Sequence, residues 1–204
     1  MKNISFTPSK ACKLFFYCLI LFISSCSSDE NKNDSENSTE VSDALHLAFK
    51  TPDWEQNINC EKLDLFPDAQ NDSTNVVSAS SASTRETFYF SYPKDSSKIV
   101  KTKILSKHKI MELGSNNEPF QFSQKLPLNA SSIDDTTKRL ASLEGLSDTE
   151  YNQVIEIKYL KSESNYAVFI VKCKYEMKAY LIETPETIKK ITGTFSFKIR
   201  TTKD

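Results

Sequence analysis

The five cysteines, Cys12, Cys18, Cys26, Cys60 and Cys173, are the most chemically versatile residues in this 204-residue chain. Cys12 precedes an apolar N-terminal stretch, Cys18 falls within it, and Cys26 stands just beyond it. Cys60 and Cys173 remain further along. In an oxidising compartment that pair is a candidate disulfide. It would close a loop of about 114 residues and contribute roughly 4–5 kcal/mol in the chain-entropy picture. The alternative is two unpaired thiols, with Cys173 a small core residue on the inward face of a strand. The two histidines, His46 and His108, lie far apart and lack metal-ligand spacing relative to the cysteines, so no metal site is expected. Gly114, Gly145 and Gly193 are the only glycines, and no two are close. That excludes a P-loop and a Gly-rich dinucleotide turn, and no cofactor is expected.

Carboxylates and lysines are the next candidates. Asp134-Asp135 has the look of a catalytic pair, but helix capping explains it better, and no serine sits in a nucleophile elbow. No catalytic residue is assigned. Lys101, Lys103, Lys107 and Lys109 share one parity. Lys172, Lys174 and Lys178 share the outer face of another segment, and Lys198 and Arg200 that of a third. If those segments are neighbours, they make a basic surface suited to an acidic envelope glycan, lipid phosphates or a membrane. The alternative is a solvated sheet face whose lysines discourage edge pairing. The aromatics Phe88, Tyr89, Phe90, Tyr92, Phe120, Phe122, Phe195 and Phe197 fit either a core or a lined pocket. Trp54, between Asp53 and Glu55, is a candidate sugar-stacking platform.

These residues need elements to position them. From Glu86 onward the apolar period is two. Phe88, Phe90 and Tyr92 share a face, as do Phe120 with Phe122, and Ile155, Ile157 and Tyr159. Val100, Thr102 and Ile104 alternate with Lys101 and Lys103 and predict a strand. From Ala167 to Leu181 every odd position is apolar or aromatic, and the run is long enough to predict a bend or bulge. Ile191, Gly193, Phe195, Phe197 and Ile199 alternate in the same way near the C-terminus. Ser132 to Glu144 predicts a helix, with Ser132-Ile133-Asp134-Asp135 as its cap and Gly145 as its stop. The expected fold class is α+β and mainly antiparallel β. It is a twisted sheet, or a partly closed barrel or sandwich, with one or two short helices.

The N-terminus carries an address. Lys2, Lys10 and Lys13 precede an apolar run from Leu14 to Ile23, too short to span a membrane as a mature helix. The run ends in Ile23-Ser24-Ser25-Cys26. This resembles the lipobox of bacterial lipoproteins processed by signal peptidase II, with an aliphatic residue at −3 and small residues at −2 and −1. The resemblance covers about the first 30 residues. It implies cleavage before Cys26, a diacylglycerol on its thiol and a further acyl chain, of the palmitate type, on the new amino terminus. Two or more chains anchor stably where one anchors marginally. Ser27 lacks the aspartate associated with inner-membrane retention, and Ser27-Ser28-Asp29-Glu30 resembles a surface-export signal. The implied location is the outer membrane, surface-exposed or periplasm-facing.

The expected organisation is a signal peptide at 1–25, a lipidated acidic tether at 26–43, and one mainly-β domain at 44–204 with a low-complexity loop near 69–85. The tether has almost nothing to bury and a reach of roughly 20–25 Å. Residues 44–68 are expected to pack onto the sheet as a short helix or strand. Residues 26–97 hold 5 basic and 14 acidic side chains, and residues 98–204 hold 18 basic and 13 acidic. An acidic leader thus precedes a mildly basic body. The functional expectation is an envelope-anchored lipoprotein acting as a binding, interaction or structural module. Its partners would be the membrane, through its lipid, and an envelope glycan or protein, with no nucleic acid. The alternative is a lipid-anchored hydrolase or other enzyme with a site assembled from distant carboxylates.

Overall fold

Alternation of apolar and polar residues dominates the chain, and the computed structural model turns it into strands over residues 41–69 and 71–203, the residues described. The expected signal peptide, the lipobox-like segment with Cys26 and the expected tether up to residue 40 lie outside the described residues.

The first strands are β1 (His46–Lys50), β2 (Glu55–Asn59), β3 (Asp68–Ala69), β4 (Thr74–Ser80) and β5 (Thr87–Pro93). A five-residue helix, α1 (Ser96–Val100), separates them from β6 (Lys107–His108), β7 (Phe122–Pro127) and β8 (Arg139–Ser142). Three long strands complete the chain: β9 (Tyr151–Glu163), β10 (Tyr166–Leu181) and β11 (Thr184–Thr202). All belong to one twisted open sheet, with order β2-β1-β11-β10-β8-β7-β5-β4-β3 and with β9 and β6 branching from β10. Every strand pairing is antiparallel. The expected mainly antiparallel architecture with a short helix is therefore what forms.

β10 is the spine. Its odd residues from Phe169 to Ala179 are buried, and Lys172, Lys174, Glu176 and Lys178 face the other way. Residues Tyr166–Glu176 pair with β9, while Ala179–Leu181 pair with β8. The expected irregularities are present. The register shifts against β9 at Val168/Phe169 and Lys172/Cys173, and against β11 at Tyr180/Leu181. These bulges raise the local twist.

That twist lets the sheet roll over on itself. β5 and β11 are separated by β10, β8 and β7 in the sheet order, yet their inner faces touch. Phe88 stacks on Phe197 at 4.6 Å between ring centroids, and Phe90 meets Phe195 edge-on at 5.0 Å. At one end a parallel bridge joins Asp95 to Thr202. The aromatics whose role was open are thus largely core. Phe195 also stacks on Phe197 and Phe122, at 4.5 and 4.9 Å. The margins β2 and β3 do not pair with each other, so the roll stays open along a seam.

Several expectations are corrected. Residues 132–144 are not a helix. A 3-10 turn at Ala130–Ser132, closed by a reciprocal Asn129–Ser132 capping box, is followed by strand β8. All four β8 residues are buried because the strand sits between β10 and β7, and that pairing on both sides overrides local helical spacing. Asp135 accepts from the Thr137 amide and hydroxyl at 3.0 and 2.7 Å, which makes it the acceptor of a turn.

The strand expected at Val100–Ile104 is instead the end of α1 and a loop. Ile99 is the residue that is buried, while Val100 and Ile104 are exposed. The low-complexity loop expected near 69–85 contains β4, whose seven residues all pair with β5 and whose Val76 and Val77 are buried. Serine and alanine there are the small residues of a strand. Residues 44–68 pack as strands β1 and β2, within the range expected. The last residues of the expected tether are docked: Val41 is buried and the Asp43 carboxylate pairs with the Lys172 ammonium.

Candidate functional site

A cavity of about 260 Å³ opens along the seam. Leu47 and Ile58 line it from β1 and β2, and Ala79, Ser80 and Phe88 from β4 and β5. The 59–63 segment closes one side with Asn59, Cys60, Lys62 and Leu63. Asn59, Lys62 and Ser80 are exposed and mark the mouth, while Leu47, Cys60, Glu86 and Phe88 are buried and mark the interior. The volume falls just below the roughly 300–1,000 Å³ of sites for drug-sized molecules, so a small ligand fits it.

Glu86 is the polar group of the interior, and it is 1% exposed. Its placement follows from strand periodicity, since Glu86, Phe88, Phe90 and Tyr92 share one parity and hence one face. The turn that leads into it is set by the Ser81 amide donating to the Glu86 carbonyl at 2.8 Å and the Arg85 amide donating to the Ser81 carbonyl at 2.9 Å. Arg85 takes a left-handed φ of 54° to close that turn. The Gln124 side-chain amide donates to Glu86 Oε1 at 2.8 Å. The Gln124 carbonyl oxygen accepts from the Tyr175 hydroxyl, at 3.0 Å. Tyr175 Oη also lies 3.1 Å from the Ala48 carbonyl. A hydrogen-bonded line therefore runs from Tyr175 of β10 through Gln124 of β7 to Glu86.

Among the described residues no cation forms an ion pair with that carboxyl. Burial pushes its pKa up to about 8, and the Gln124 hydrogen bond offsets only part of the effect. Glu86 is mostly a neutral acid at pH 7. Burial, with Glu86 nearby, also pushes the Cys60 thiol up to about 11. Neither group is a nucleophile at neutral pH. The Tyr175 phenol is raised well above its ordinary value for the same reason, burial first.

Both Cys60 and Cys173 are free and buried, so the disulfide is not formed. Register gives the reason. Cys173 stands opposite Phe195, Phe195 opposite Leu47, and Leu47 opposite Ile58. Three strand spacings, roughly 14 Å across the sheet, separate the row of Cys173 from that of Ile58, and a disulfide spans less than about 7 Å between Cα atoms. Cys173 Sγ instead accepts from the Asn152 amide at 3.7 Å. Cys60 Sγ donates to the Ile58 carbonyl at 3.6 Å.

The lysines do not make one basic surface. Lys107 pairs with Asp148, Lys109 with Glu144 and Lys178 with Glu150, at 2.9, 2.9 and 3.2 Å. Lys172 holds both Asp43 and Glu156, the latter at 2.7 Å. Arg200 is buried, bonded to Asp64 at 2.6 Å and Glu163 at 3.0 Å, with the Phe66 ring over its guanidinium. Lys101, Lys103, Lys174 and Lys198 make no ion pair with the described residues. The first two follow α1, and the others stand on β10 and β11. Interleaved carboxylates thus break the expected patch.

The remaining candidates are structural. The Trp54 indole donates to the Pro127 carbonyl at 3.2 Å and packs edge-on against Phe49. His46 Nδ1 donates to the Ala44 carbonyl at 2.7 Å, and Nε2 contacts the Thr194 hydroxyl at 2.9 Å. His108 sits against Phe120, its Nε2 2.8 Å from the Ser106 hydroxyl, and burial lowers its pKa. Among the described residues no three His, Cys, Asp or Glu side chains gather as a metal site. The group missed in the sequence is Glu86. An acid on the inward parity of an aromatic strand was the signal available.

No protein-family model matches the chain, and comparison with curated proteins and with solved structures gives no match.

Proposed function

We propose that this chain is an envelope lipoprotein, anchored through acyl chains on Cys26 at the outer membrane, whose sheet domain binds a small ligand in the seam cavity. The lipobox-like Ile23-Ser24-Ser25-Cys26 supports the anchor. The cavity itself carries the binding reading. It is walled by apolar side chains, holds one oriented polar group, and opens between strands that come from opposite ends of the sheet. The carboxyl in it stands without a second carboxylate or histidine among the lining residues, which favours binding over acid–base hydrolysis.

Two measurements test this on the full chain extracted from membranes into lipid nanodiscs. Intact mass should equal Cys26 to Asp204 plus acyl chains, and Cys26→Ser should release the protein from the membrane. An unlipidated mass removes the anchor from the reading. Small molecules released from the purified wild type should be missing from Ala79→Trp, which fills the cavity. Identical extracts from folded wild type and variant remove the binding reading.

A further inference from the structure

The polar interior of the cavity is not neutral in what it selects. Gln124 Nε2 can only donate, so Glu86 Oε1 is an acceptor in that contact. In a protonated carboxyl the hydrogen then belongs on Oε2, and the group offers a donor. Gln124 is held in this orientation because its own carbonyl oxygen is engaged by the Tyr175 hydroxyl. The single Tyr175 hydrogen, donated to Gln124, gives the line its sense, from Tyr175 to Gln124 to Glu86.

We propose that the seam cavity takes a small neutral amphiphile, an amide or ester carbonyl meeting the Glu86 carboxyl and an aliphatic portion lying against Leu47, Ile58 and Phe88. This deepens the binding reading above and rests on it. An acceptor head completes the hydrogen bonding of that donor. A carboxylate head would bring an uncompensated charge into an apolar interior, since the cation lining the cavity, Lys62, is exposed at its mouth. An ammonium head would need Glu86 ionised and would enter past that same lysine. The other titratable groups near Glu86 are Cys60 from the segment after β2, Tyr175 of β10 beyond Gln124, and exposed Arg85 in the turn before it.

The test uses the full chain in lipid nanodiscs and four probes with one chain length: N-methylhexanamide, methyl hexanoate, hexanoate and hexylamine. Dissociation constants are read by saturation-transfer NMR. At pH 6.5 the amide and ester should bind, with hexanoate and hexylamine about tenfold weaker or more. With the Glu86 pKa at about 8, amide affinity should fall roughly 30-fold by pH 9.5 as the donor is lost. Glu86→Gln keeps a neutral donor, so it should bind the amide within about threefold of wild type and show no such fall. Tighter binding of hexanoate or hexylamine, or a flat pH profile in wild type, overturns the ligand class. If all four heads bind alike and Ala79→Trp abolishes binding, the cavity reading stands and the ligand class fails. If no probe binds, the ligand class fails, and the extracts from Ala79→Trp decide the cavity reading on their own.

Discussion

Tyr175 and Gly193 face each other across β10 and β11, and the tyrosine ring occupies the space that a side chain at 193 would need. A Cβ there would lie 2.2 Å from the Ala48 carbonyl oxygen and 2.5 Å from the Tyr175 ring and hydroxyl. The glycine lets one aromatic side chain cross β11 toward the β1 backbone, and the hydroxyl of that side chain starts the hydrogen-bonded line ending at Glu86. Gly193→Ala should therefore destabilise by about 2–4 kcal/mol, because backbone as well as side chain must move. At Gly145 the nearest atoms belong to the flexible Glu150 side chain, at 3.0–3.3 Å, and Gly145→Ala should be much milder. Denaturant midpoints of the two variants check the contrast.

Stability should fall as pH rises through the neutral range. Glu86 moves from an ordinary value of 4.5 to about 8 on folding, so the folded chain holds a proton that the unfolded chain releases. That contribution is complete below about pH 4.5 and is lost as pH passes 8. Between those limits the slope is about −1.4 kcal/mol per pH unit, for a total of order 5 kcal/mol. Glu86→Gln should flatten the slope across this window in urea titrations at several pH values. An unchanged slope would mean that another group dominates.

The two thiols should behave differently. Neither forms a disulfide, so thiol reductant should leave the intact mass unchanged. Cys60 lines the cavity and Cys173 is fully buried between β9 and β11. A small neutral maleimide should modify Cys60 slowly in the native protein and Cys173 only on unfolding. Peptide mapping after timed labelling reads both rates. Cys173 labelled first would contradict the placement.

Arg200 fastens the segment carrying Asp64 and Leu65 to β11, donating to the carboxylate of one and the carbonyl of the other at 2.6 and 3.1 Å. Arg200→Met should cost about 1–3 kcal/mol, since those acceptors lose a buried donor. Asp64→Asn should cost less than about 1 kcal/mol because the Asp64 side chain is half exposed. Thermal unfolding of both variants checks the ordering.

Periodicity made the long strands legible. The odd-position run through Phe169, Val171 and Cys173 was readable because one face is core and the other solvent. β8 was not readable. Arg139, Leu140, Ala141 and Ser142 are all buried, so no alternation marks the strand, and Ile133, Leu140 and Leu143 mimic a helical stripe. β4 was hidden by its small residues. The disulfide and the basic surface failed for another reason: each depended on which strands are neighbours, and strand order has no local signature. The inward parity of Glu86 was visible in the sequence, whereas its meeting with Gln124 and the 59–63 segment needed the roll of the sheet.

The margins of the sheet bear on how copies behave when crowded. β2 is polar and exposed along Glu55, Gln56 and Asn57, and both β3 and β6 are two residues long. None gives another chain a long, flat, apolar row to extend. At high local concentration strand-to-strand growth is the main hazard. β2, β3 and β6 block that growth at its first step, which leaves the outer edge of β9 beyond Val154, where Tyr159 and Leu160 are exposed, as the place where a second copy could add a strand.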